Sequence, residues 1–140
     1  HVTVAVSGDG GDELFAGYGR YAMLARDAAL HEGPVNGRVE HYLAKGLPVF
    51  DRAVLDDAFP GEAARFRARF ASRFASLFAR DELDAYDRLR MIDLHSYLPG
   101  AVLAKVDRMA MKHSLEVRTP FFSPQVLALS SRLPRELVQD

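Results

Sequence analysis

Near its start the chain runs through the β-branched stretch Val2-Thr3-Val4-Ala5-Val6, then Ser7-Gly8-Asp9-Gly10-Gly11-Asp12, then residues at helical spacing. This order of strand, glycine-acid turn and helix restricts the possible folds more than any other feature. A lone strand leaves its backbone donors and acceptors unpaired, so Val2 to Val6 implies partner strands supplied by residues outside this chain. Because the chain enters that run directly from His1 without an initiating Met, it reads as a fragment. After the turn, Leu14, Phe15, Tyr18, Tyr21, Ala22, Leu24, Ala25 and Ala28 recur at helical spacing, interrupted by Gly17 and Gly19. That helix is expected to stop before Gly33-Pro34, since proline disfavours helical geometry in the residue before it.

Further along, Gly33, Pro34, Gly37, Gly46, Pro48, Pro60 and Gly61 punctuate short helices expected at 37–45 and 51–58. Phe66, Phe70, Phe74 and the pair Leu77/Phe78 step by four and share one face of a helix over 63–80, with Arg65, Arg67, Arg69 and Arg73 beside them. Such a flank is usually solvated while the aromatic face packs, which weighs against the competing reading of a nucleic-acid contact. Two more helices are expected over 83–98 and 101–112, separated by a break at Pro99-Gly100. An extended link at Thr119-Pro120 leads to a last helix near 123–132. The expected fold is therefore α/β, one N-terminal strand followed by about six helices in a single domain portion over 1–140.

Composition excludes several classes. The 140 residues contain no Cys, which removes disulfide frameworks, thiolate zinc sites and cysteine nucleophiles from this stretch. Eighteen basic residues against nineteen acidic ones argue against a nucleic-acid coat or a polybasic membrane protein. No apolar run approaches the roughly 20 residues that span a bilayer. The chain reads as cytoplasmic, with no nucleic-acid and no membrane partner.

The loop carries the chemistry. Backbone N–H groups at a helix start attract anions, and Gly8, Gly10 and Gly11 let a ligand approach the main chain. Asp9 and Asp12 would repel a bare polyphosphate, so their presence there makes sense with a divalent cation between. Magnesium (Mg2+), held by one or two carboxylates plus phosphate oxygens, fits. The competing reading makes Asp12 a helix cap and Glu13 a complement to the helix dipole. Other motifs fail: Glu13 stands where a dinucleotide fingerprint needs Gly, no Gly-Lys-Ser/Thr follows, Ala5 breaks a nucleophile elbow around Ser7, and Arg20 stands where an EF-hand begun at Asp9 needs Glu.

The stretch Ser7 to Tyr18 (Ser-Gly-Asp-Gly-Gly-Asp-Glu-Leu-Phe-Ala-Gly-Tyr) resembles the second nucleotide-site motif of the glutamine-hydrolysing asparagine synthetases. Leu103-Ala104-Lys105-Val106-Asp107-Arg108-Met109-Ala110-Met111, continued by Ser114 to Phe121, resembles the later motif of the same domain, in the same order. The resemblance implies the α-rich C-terminal portion of an adenine-nucleotide alpha-hydrolase-like (Rossmann-like) domain. It implies an ATP-dependent ligase that activates the aspartate side-chain carboxylate as its adenylate, releases pyrophosphate and lets ammonia displace AMP. The ammonia would come from glutamine, hydrolysed in an N-terminal glutaminase domain. A homodimer is left open. Related ligases of the same fold, such as β-lactam synthetases and peptide cyclases, use other carboxylates. Neither the N-terminal nucleophilic Cys nor the family's upstream Ser-Gly-Gly-x-Asp-Ser loop lies within these residues, so the isolated chain is expected to be inactive.

Carried over by position, the resemblance makes Asp12 the magnesium and pyrophosphate contact. Ser7, Gly8, Gly10 and Gly11 lie along the nucleotide, and Asp9 lies near the reacting groups. Lys105 and Arg108, three residues apart on one helix face, would offset charge on the α-phosphate. Glu116 and Arg118 read as an ion pair or as ligand contacts. Tyr18 and Tyr21 read as core or as a cover for the site, and His95 and His113 as ordinary histidines.

Overall fold

Three residues of the opening run, Val4–Val6, form strand β1, and the structure, a computed structural model, describes residues 2–46 and 51–138. In chain order α1 (Gly11–Phe15), α2 (Gly19–Ala25), α3 (Val35–Lys45), α4 (Arg52–Ala58), α5 (Glu62–Phe78), α6 (Ala85–His95) and α7 (Ala104–Met111) follow. Strand β2 (Glu116–Arg118) and α8 (Pro124–Ser130) complete the sequence of main elements. The expected turn at Pro48 lies outside the described residues. No described helix is long and apolar enough to cross a membrane.

The pairing of β1 corrects the expectation that its partners would all come from elsewhere. β2 lies parallel to it, with Val4 opposite Glu116, Ala5 opposite Val117 and Val6 opposite Arg118. Backbone bonds from Glu116 N to the Thr3 carbonyl (2.9 Å) and from Ser7 N to the Arg118 carbonyl (3.0 Å) extend the ladder at both ends. Glu-Val-Arg is too short to show a strand period, which is why the sequence pointed to one strand only. The described fold is a mostly helical α/β arrangement with a two-stranded parallel sheet.

Among the described residues, 2–18 and 90–138 make one compact unit and 19–46 with 51–89 another. In the second, α5 packs on α3 and α4, with Phe70, Phe74 and Phe78 buried at four-residue steps. Tyr42 of α3 stacks on Phe70 (5.9 Å between ring centroids) and meets Phe78 edge to face (5.6 Å). Phe66, at the start of the same stripe, is 51% exposed, so the buried face covers only the later turns. Beside it, Arg65 pairs with Glu62, Arg67 reaches Asp56 at 2.8 Å, and Arg73 lies over the Phe74 ring at 5.3 Å. Much of the arginine stripe is thus engaged by the chain's own groups.

Arg38, buried in α3, ties that helix to the end of α5: it donates to the carbonyls of Phe78 (3.0 Å) and Gly33 (3.1 Å) and to the Asp81 carboxylate (2.7 Å). The Arg38 guanidinium holds the exposed Asp81 carboxyl below its ordinary range.

In the other unit α7 packs on β2 and on a π-helical segment, Leu98–Leu103, while α8 packs on α1 and on a 3-10 turn at Pro120–Phe122. The break expected at Pro99-Gly100 is instead a widening of the helix. Proline withdraws one donor from the helical ladder, and the backbone passes through it as a π turn with Tyr97 and Leu103 both in helical conformation. The single helix expected from Glu13 onward is likewise corrected. Ala16 adopts a left-handed conformation (φ 54°) that closes α1 after Phe15, α2 begins only at Gly19, and a 3-10 turn at Ala28–Leu30 follows.

Candidate functional site

Because β1 and β2 are parallel, their carboxyl ends lie on the same side, and the chain leaves both strands into the same neighbourhood. In open α/β sheets that end is where ligands gather. After β1 comes Ser7–Gly10, and after β2 comes Thr119–Phe122. Thr119 Oγ1 donates to the Asp9 carbonyl at 2.6 Å, and Ser7 Oγ donates to the Asp9 carboxylate at 2.8 Å. The two sequence blocks therefore form one built structure, with Asp9 held from both sides.

The glycines divide by what surrounds them. Gly10 has φ 90°, and a Cβ there would stand 2.4 Å from the Phe122 ring. A Cβ on Gly11 would meet Phe121 at 3.3 Å, and Phe121 also meets Phe15 edge to face at 5.9 Å. Packing of Phe121 and Phe122 thus gives both positions a reason for glycine. Gly8 is open: nothing lies nearer to its Cβ position than Phe121 at 4.0 Å. The sequence carried Phe121 at the edge of its motif but gave neither ring this role. A Pro-Phe-Phe segment directly after an extended link was the only available signal.

Asp12 is the second residue of α1, and Gly10 occupies the cap position with no side-chain cap bond. The capping role considered for Asp12 is therefore not the one observed. Its side chain is exposed, and among the described residues it accepts no hydrogen bond and joins no ion pair. Next to it Glu13 is 1% exposed and accepts a hydrogen bond from the Tyr18 hydroxyl at 2.8 Å. Burial, and then the Glu13 carboxylate, push the Tyr18 hydroxyl well above the ordinary phenol range. Tyr18 also packs edge to face on Tyr97 at 6.1 Å, whereas Tyr21 belongs to the buried set of the other unit. Arg90, which the sequence did not single out, donates to the carbonyls of Leu14 and of Ser130 (3.2 Å), tying the end of α1 to the end of α8.

Lys105 and Arg108 are exposed on α7, the helix that packs on β2. Neither side chain makes a hydrogen bond or an ion pair among the described residues, and no such bond joins them to Asp9 or Asp12. Glu116 and Arg118 form the ion pair considered for them, at 2.8 Å and in solvent. His95 and His113 are exposed. No group of three or more His, Cys, Asp or Glu side chains able to hold a metal occurs among the described residues. An ion here would depend on Asp12, water and a ligand's own oxygens.

Comparison with known proteins bears on the whole chain. The asparagine synthase family profile matches residues 1–138, and the chain belongs to that family. It is 30% identical to asparagine synthetase (glutamine-hydrolyzing) 1 of Bacillus subtilis strain 168, an alignment that covers 98% of this chain and 26% of the relative. It is 32% identical to the protein named "Putative asparagine synthetase (glutamine-hydrolyzing)" in Mycobacterium bovis, over 96% of this chain and 24% of the relative. The chain thus spans about a quarter of the length of the relatives it matches. No solved structure matches it significantly.

Proposed function

We propose that this chain is the C-terminal portion of the synthetase domain of an ATP-dependent amide-forming ligase, one that converts aspartate to asparagine through a β-aspartyl adenylate, with ammonia derived from glutamine. The observation that carries this reading is the junction of the two family motifs across β1 and β2, with an unpartnered carboxylate, Asp12, at the same end of the sheet. An exposed carboxylate, an open Gly8 and a loop anchored from behind by Thr119 suit a polyphosphate whose charge is offset by magnesium.

In this reading Asp12 would hold the ion, and Ser7, Gly8, Gly10 and Gly11 would line the nucleotide. Bound magnesium would neutralise phosphate charge, letting an acidic loop and an anionic substrate share one site. Asp9, oriented by Ser7 Oγ, would help position the reacting carboxylate and the incoming ammonia. Lys105 and Arg108 offset charge that develops on the α-phosphate as the adenylate forms. The fold is then the later part of a Rossmann-like nucleotide domain, and the parent polypeptide carries the glutaminase domain.

Calorimetry on the intact polypeptide tests the central claim. ATP is expected to bind in the presence of magnesium and to lose most of its affinity when EDTA removes the ion. Uptake that ignores magnesium would end this reading. Lys105→Ala and Arg108→Ala, assayed separately for pyrophosphate release, are expected to lower turnover by about 10²-fold at whichever position serves the phosphate, with a smaller effect at the other. Two unaffected variants would remove α7 from the site.

A further inference from the structure

Gly17 lies just beyond α1, outside every role assigned above, yet it abuts the one carboxylate on which the proposed metal chemistry depends. A Cβ on Gly17 would fall 2.2 Å from Asp12 Oδ1, closer than any real contact, and 3.2 Å from its Cγ. The backbone of Gly17 is not in the left-handed region, so φ itself does not require glycine there. The demand for a bare Cα comes chiefly from the space that the Asp12 side chain fills, with the Asp12 Cα a tight but tolerable 3.3 Å from the same point.

The segment around Gly17 is fixed on both sides. Gly17 N–H donates to the Asp12 carbonyl at 2.9 Å, Ala16 before it closes the helix with a left-handed turn, and Tyr18 after it is moored through its hydroxyl to the buried Glu13. A methyl group added to Gly17 therefore meets a held backbone on one side and the free end of an exposed side chain on the other. The side chain gives way. Rotating an exposed aspartate out of one rotamer costs the fold little, but it moves the carboxylate oxygens by more than a metal site tolerates.

Resting on the magnesium reading of Asp12, we infer that Gly17 is a positioning residue: its missing side chain keeps the Asp12 carboxylate in the rotamer that receives the ion. The test uses Gly17→Ala in the intact polypeptide, with inorganic magnesium and ATP as probes. The variant is expected to unfold within a few degrees of the unchanged protein, as a surface substitution does. Its crystal structure is expected to show Asp12 in a different rotamer, and magnesium-dependent ATP uptake is expected to fall about 10- to 100-fold. In an Asp12→Ala background the same substitution is expected to add no further loss, which a general loosening of the loop would not reproduce.

An unmoved Asp12 rotamer with unchanged uptake, while Asp12→Asn loses it, would overturn the inference and leave the magnesium reading standing. So would a loss of uptake that merely tracks unfolding. Full uptake in Asp12→Asn would instead overturn the magnesium reading itself, and the two failures stay separable because the rotamer comparison needs no nucleotide.

Discussion

Asp12→Asn in the intact polypeptide is expected to lower ATP-dependent pyrophosphate release by at least about 10²-fold, while glutamine hydrolysis stays close to its starting level. Asparagine keeps the shape of the side chain and removes only its charge. Because Asp12 is exposed and no described residue bonds its carboxylate, the change leaves no orphaned partner and costs the fold little. Loss of turnover would then report the missing charge at the phosphates. Asp9→Asn is expected to do less harm, since an amide can still accept the bond from Ser7 Oγ. Pyrophosphate release that survives Asp12→Asn unchanged would place the metal elsewhere.

The second large effect is on stability. Phe78→Ala is expected to destabilise the protein by about 3–5 kcal/mol, the usual range when a buried aromatic side chain is cut back to a methyl group. Phe78 is 1% exposed, meets Tyr42 edge to face, and its carbonyl receives Arg38. Phe66→Ala, in the same stripe but half exposed, is expected to cost about 1 kcal/mol or less. Urea denaturation midpoints of the two variants separate these values. Equal shifts would mean that the packed face of α5 has been misplaced.

The aromatic stripe illustrates what the sequence could reveal. Four-residue steps located α5 and its face, and the glycine-acid turn located the loop, because periodicity and turn chemistry are local properties. Phe66 escaped burial because where a packed face ends depends on the neighbouring helix, not on the stripe itself. Strand β2 was hidden for a similar reason: Glu116-Val117-Arg118 becomes a strand only through its partner. Pro99 was read by its usual effect, and the π turn that accommodates it leaves no periodic signature. At the site, Asp9, Asp12, Lys105 and Arg108 were legible as charged positions within motifs. The bonds from Ser7 and Thr119 to Asp9, the rings behind Gly10 and Gly11, and the burial of Glu13 under Tyr18 are tertiary facts that no spacing encodes.

The pairing of β1 with β2 also bears on how the molecule assembles. The loop after β1 is made well before the strand and threonine that hold it, which follow only after more than a hundred further residues. Closing a chain of that length costs about 4 kcal/mol of entropy before any contact compensates for it. The nascent loop therefore lacks its anchors until β2 and Thr119 have been made, and a stalled or clipped product ending before Arg118 would retain its first motif without the scaffold that shapes it.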